Sequence, residues 1–164
     1  MTTSDTAVSA TAAPVIIGRG FYWDDLALGF RFRTHARTLT EADLSNFVNL
    51  TWLTEELFTN AASSEGRAIE GRIVPGALVY SFAEGLLLPS MQDTGLAFLN
   101  AEIDIKGPTF VNDTIHIECE VIEHRATKHG HRGLVRTLNR VFNQNGAVVL
   151  TYNPLRMLKR RPAG

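Results

Sequence analysis

Two adjacent carboxylates, Glu55 and Glu56, stand in an aromatic run from Asn49 to Asn60 that also holds Trp52 and Phe58. A carboxylate buried beside such rings has a raised pKa, because burial penalises the charged form. That suits it to take up and release a proton near neutrality. In the first turn of a short helix the same residues would instead face water, where they favour the helix dipole. Both readings are open at this level. Glu56 and Asn60 are four residues apart and share a helical face, so they can act together. Glu70, just ahead of Gly71, is a third carboxylate, placed either at a pocket mouth or on a surface loop.

Other chemistries find less support. The five histidines are His35, His116, His124, His129 and His131. His129-Gly130-His131 has a spacing that suits no common metal site, and no carboxylate lies within its loop. No metal is expected. The single cysteine, Cys119, excludes an internal disulfide and a cysteine-rich metal centre. Arg125, Lys128 and Arg132 concentrate positive charge in one loop. It reads either as a phosphate-binding loop or as a solvated hairpin.

These residues depend on the elements that carry them. Phe30 to Leu39 alternates weakly and predicts a strand with Arg31, Arg33 and Arg37 on one face. Thr40 followed by Asp43 forms a capping-box pattern, and Leu44, Phe47 and Val48 recur at helical spacing, predicting a helix over Glu41 to Asn49. A second short helix is expected from Thr54, then a polar loop from Ala61 to Gly71. Pro75 opens the strongest helix signal, PGALVYSFAEGLLL, apolar on nearly every side, which predicts burial on all faces.

The remainder reads as strands. Leu96 to Lys106 is one. Thr114 to Glu123 is a second, with Ile115, Ile117, Cys119 and Val121 inward. Leu134 to Phe142 and Val148 to Lys159 follow, joined through the hairpin signal Asn145-Gly146. Pro154 fits only an edge or a bulge. The order predicts an α+β protein in which an antiparallel sheet wraps one buried central helix. Part of that helix is left to a partner, so a dimer is expected.

Bulk properties bound the function. The chain has 164 residues, 45% hydrophobic and 20% charged, with net charge −1 and pI near 6.5. One domain, residues 16–164, is expected behind a disordered Thr/Ser/Ala-rich tail at 1–15. No basic field attracts nucleic acid or an anionic membrane. No apolar run reaches the ~20 residues a membrane span needs, and the N-terminus lacks the pattern of a secretory signal. A cytoplasmic location is expected.

Four segments, in order, carry a resemblance. They are Asp25-Leu26-Ala27-Leu28-Gly29, Thr38-Leu39-Thr40-Glu41-Ala42-Asp43, Gly71-Arg72-Ile73-Val74-Pro75-Gly76 and Val111-Asn112-Asp113-Thr114. Together they resemble the MaoC-like dehydratase family, which includes the (R)-specific enoyl-CoA hydratases, from about Phe21 to Leu158. The resemblance implies a hotdog fold, a homodimer or dimer of dimers, and an acyl-CoA thioester substrate. Coenzyme A then enters as part of the substrate, with no separate cofactor.

The resemblance also implies roles. The free N–H groups opening the buried helix, with Gly76 allowing close approach, would hold the thioester carbonyl as it gains charge. Ser81 falls where relatives often have a serine; it either contacts the thioester or bonds its own helix backbone. Arg125, Lys128 and Arg132 would meet the phosphates of coenzyme A or of a carrier arm. Relatives hydrate with an Asp and a His separated by four residues. Laid on this chain without gaps, those positions are Leu53 and Phe58, which exchange no proton. The sequence therefore implies a hydratase or dehydratase with a substituted acid/base set at Glu55 or Glu56. It leaves as alternatives a thioesterase using Glu56, Asn60 or Glu70, or a non-catalytic binding or partner subunit.

Overall fold

The computed structural model describes residues 16–62 and 68–162. The expected tail at 1–15 and the middle of the expected 61–71 loop lie outside them. The architecture is the expected one. An antiparallel eight-stranded sheet curves round one principal helix, the hotdog arrangement.

The segment Phe30 to Leu39 is two short strands, β1 (Arg31–Arg33) and β2 (Arg37–Thr38), not one. Both pair with β5 (Thr114–Ala126). Between them the Thr34 hydroxyl accepts from Ile117 N–H at 3.0 Å, so a side chain replaces a ladder bond and the strand breaks. β5 alternates as its sequence predicts: Ile115, Ile117, Cys119 and Val121 are buried.

Helix α1 (Glu41–Thr51) opens on the predicted capping box. Asp43 N–H donates to Thr40 Oγ1 at 3.2 Å, and Thr40 N–H donates to Asp43 Oδ2 at 2.9 Å. It runs two residues beyond the expected end and stops at Trp52, whose φ of 62° is left-handed. Helix α2 (Glu56–Thr59) is a single turn with Glu55 at its N-cap. Helix α3 (Gly76–Leu87) is capped by Pro75 and passes into a short 3-10 turn carrying Pro89.

α3 is not buried all round. Leu78, Val79, Ala83 and Leu87 enter the core, but Ala77, Ser81 and Gly85 form an exposed stripe one turn apart. The expectation of complete burial fails within one protomer because the sheet covers only part of the helix.

Two strands expected as single units are each bent. The first is β3 (Gly95–Asn100) and β4 (Ile103–Ile105), which pair with β8 (Leu155–Lys159) and β7 (Val148–Tyr152) respectively. β7 and β8 both pair β6 (Arg132–Phe142), with Asn153 and Pro154 in the break. The two breaks clasp each other. Asn153 Oδ1 accepts from Glu102 N–H at 2.8 Å, and Asn153 Nδ2 donates to the Glu102 carboxylate at 3.0 Å. Pro154 is thus tolerated where the ladder is already interrupted. The Asn145-Gly146 turn forms as predicted, with Gly146 at φ 77° and Asn143 Oδ1 accepting from the N–H groups of Asn145 and Ala147. Among the described residues no helix is long and apolar enough to cross a membrane.

Candidate functional site

The first turn of α3 is held against the segment that precedes β5. Val74 N–H donates to Thr109 O at 2.9 Å, Val111 N–H donates to Arg72 O at 2.9 Å, and Ile73 bridges Phe110. Pro75 contributes no donor, and its carbonyl accepts from Leu78 and Val79. The N–H groups of Gly76 and Ala77 then have no intrahelical acceptor and lie at the positive end of the helix dipole. The backbone at Gly76 approaches a neighbouring side chain closely: a Cβ there would lie 2.7 Å from Ile105 Cδ1, the end of a half-exposed side chain that would have to turn aside.

In front of this turn lies a cavity of 340 Å³. Leu57, Phe58, Ile69, Pro75, Gly76 and Ile105 form its walls, with Val79, Val149 and Leu150 behind them. That size suits a small acyl group. Among its described lining residues Lys106 is the only titratable side chain, and its Nζ pairs with the Asp104 carboxylate. Sequence reasoning missed Lys106, because it stands at the exposed end of β4 and belongs to no motif.

The expected acids sit outside this lining. Glu55 and Glu56 are exposed, and Glu56 Oε1 accepts from Asn60 Nδ2 at 2.8 Å. Glu70 is also exposed, beside the lining residue Ile69. The Leu53 and Phe58 side chains are half-buried, and Phe58 forms part of the cavity wall. Ser81 lies on the exposed stripe of α3 and donates to Ala77 O at 2.8 Å, the backbone alternative open from the sequence.

The basic loop lies elsewhere. Arg125 and Arg132 flank the β5–β6 hairpin, and Arg132 pairs with Lys159 of β8. Gly76 neighbours the opposite end of β5, a strand of 13 residues and so about 40 Å long. Within one protomer the structure does not bring Arg125, Lys128 and Arg132 to the cavity. Arg125 is paired with Glu123 at 3.1 Å.

Two of the five histidines hold structural places. His124 stacks on Trp23 with centroids 3.8 Å apart, and His116 stacks on Phe142 at 5.3 Å. Among the described residues no group of three possible ligands gathers round a metal position. Cys119 is buried, and burial pushes its thiol up to about 12, so it offers no thiolate nucleophile.

Arg72 was legible only as one letter of a motif, yet it fixes the cavity wall. Its Nη1 donates to Phe58 O at 2.6 Å, while Nε and Nη2 grip the Glu41 carboxylate at 2.6–3.1 Å. That bond holds the Glu41 carboxyl below its ordinary pKa.

No protein-family model matches the chain. An (R)-specific enoyl-CoA hydratase from Aeromonas caviae is 30% identical over 110 residues, 67% of this chain and 79% of that protein. The structure of the A. caviae (R)-hydratase involved in PHA biosynthesis superposes with a TM-score of 0.63 at 25% identity, covering 83% of this chain and 98% of that one. A MaoC-like dehydratase from Rhodospirillum rubrum superposes with a TM-score of 0.78 at 22% identity, covering 88% and 100%.

Proposed function

The chain belongs to the family of MaoC-like dehydratases and (R)-specific enoyl-CoA hydratases, and from that membership we propose that it binds an acyl-CoA thioester in the cavity at the N-terminus of α3. One observation carries the reading: an apolar cavity opens on the free N–H end of α3 at Gly76. A thioester carbonyl seated there accepts from fixed donors. Such a donor contributes ~3 kcal/mol where negative charge develops on the oxygen.

Binding and turnover separate at the next step. Hydration of the enoyl bond needs one group to activate water and another to protonate the α-carbon. By the resemblance, the two positions that carry these groups in relatives fall on Leu53 and Phe58, and the described lining adds only Lys106. The protomer on its own is therefore proposed to bind the thioester without hydrating it.

A second reading keeps the hydratase reaction, with Glu56 as the acid/base. The Asn60 bond that fixes its carboxylate, two residues from Phe58, favours it. Incubation with crotonyl-CoA distinguishes the readings. Binding with no loss of enoyl absorbance supports the first. Loss that disappears in Glu56→Gln supports the second. Release of free thiol would indicate a thioesterase.

The working unit is proposed to be a homodimer, alone or paired as a dimer of dimers. Leu96, Phe98, Leu99, Ile103 and Ile105 leave 45–54% of their surfaces exposed along β3 and β4. With the small-residue stripe of α3 they make an apolar face that a second copy can cover.

A further inference from the structure

We propose that the cavity at the β5–β6 hairpin is a phosphate site, for the dianionic head of a phosphomonoester or for free phosphate. It lies between the hairpin at Gly130 and His131 and the C-terminal end of β8. The space is 810 Å³, within the usual size range of a ligand pocket. Its described lining holds Arg132, Lys159, Arg160 and Arg161, and no carboxylate. The carboxylates nearby are already matched. Arg160 grips Asp24 at 2.9 Å and Arg161 grips Asp25 at 2.7 Å. Asp93 holds Arg19 at 3.0 Å and reaches Lys159 only at 3.5 Å. Arg132 is left over: its guanidinium has no partner among the described residues.

The strand register concentrates this surplus. Arg132 stands directly opposite Lys159 across the β6–β8 ladder, so both side chains leave the same face of the sheet, with Cβ atoms about 5 Å apart. Like charges so placed repel. A dianion set between them replaces the repulsion with two charge-assisted contacts, Arg132 through its planar fork and Lys159 as a point charge. A carboxylate carries charge enough for only one of them. Arg132 Nε is buried without an acceptor, so no bond anchors the guanidinium against turning to a bound oxygen. Leu96, 45% exposed, and Pro162 offer the organic part of an ester an apolar wall. This set differs from the loop that the resemblance implies. Arg125 is held by Glu123 at 3.1 Å, neither it nor Lys128 lines the cavity, and the second cation comes from β8.

The test is a calorimetric titration of the full chain with inorganic phosphate, phenyl phosphate and benzoate at constant ionic strength and about pH 8, where a phosphate head is dianionic. At least one phosphate is expected to bind about tenfold or more tightly than benzoate. Arg132→Ala and Lys159→Gln should each weaken phosphate about tenfold, the loss of one charge-assisted contact. Arg125→Ala, which removes a neighbouring positive charge outside the cavity, should leave the affinity unchanged. Preference for phenyl phosphate identifies a phosphomonoester as the ligand, and equal affinity for the two phosphates identifies the free ion. Benzoate binding as tightly as both phosphates, phosphate affinity unchanged in Arg132→Ala and Lys159→Gln, or an equal loss in Arg125→Ala would each overturn the proposal. None of the probes carries a thioester, so the result is independent of whether the Gly76 cavity binds one.

Discussion

Arg72 donates from Nη1 to the carbonyl oxygen of Phe58 at 2.6 Å, so one side chain ties α2 to the strand bridge that opens α3. The same guanidinium holds Glu41 at the start of α1. Three elements are thus braced from one point, and two of them, α2 with Phe58 and α3 with Gly76, line the cavity.

Removing the brace should be felt in stability and in binding. Arg72→Ala deprives the Phe58 carbonyl of a charged donor, a loss of about 1–3 kcal/mol. Urea unfolding should show it as a lower midpoint with an unchanged slope. Arg72→Lys keeps the charge but cannot reproduce the fork, so it should recover only part of the loss.

The same contacts set an acid limit. The Arg72 hydrogen bond lowers the Glu41 pKa, and hydrogen bonds from Arg125 and Arg136 lower that of Glu123. A depressed carboxylate pKa means the unfolded chain binds more protons, so stability rises with pH across the window. This contribution is complete above the ordinary value of 4.5 and is lost as pH falls through the folded values. The urea midpoint measured from pH 7 downwards should fall below about pH 5. Glu41→Gln should flatten part of that fall.

Gly76 and Ile105 should behave as a coupled pair. In Gly76→Ala the new methyl meets Ile105 Cδ1 at 2.7 Å, a contact that overpacks the cavity wall. The stability cost should be small, because the half-exposed Ile105 side chain can turn aside, and thioester binding should weaken. Ile105→Val removes Cδ1. The double variant should therefore lose less than the sum of the singles, which a double-mutant cycle in stability and affinity measures.

Burial, with the nearby Arg33 charge second, lowers the His116 pKa below its ordinary 6.5. For a histidine this direction means stability is complete above 6.5 and declines as pH falls towards the folded value. Imidazole proton NMR should find His116 titrating below 6.5. Arg33→Ala should move it upward.

The sequence carried the fold because its strongest signals are local and periodic. The capping box at Thr40 and Asp43, the inward alternation of β5 and the turn at Gly146 all appear as read. The bends did not show. The breaks in β3–β4 and β7–β8 depend on Asn153 meeting Glu102, residues 51 positions apart. The exposed stripe of α3 was hidden for a similar reason: PGALVYSFAEGLLL reads as uniformly apolar whether its cover is its own sheet or a second chain. Within the site, Gly76 and Phe58 were legible from the resemblance. Lys106 and the Arg72 brace were not, since a cation's partners depend on tertiary distance and leave no spacing pattern.

Binding of a thioester without its hydration is tested by titrating the chain with crotonyl-CoA, following heat of binding and enoyl absorbance in the same sample. Saturable binding that Gly76→Ala weakens is expected, with no change in absorbance and no free thiol. Absence of binding would contradict the thioester site. Steady loss of enoyl absorbance by the purified chain would contradict a binding site whose described lining has no acid/base pair.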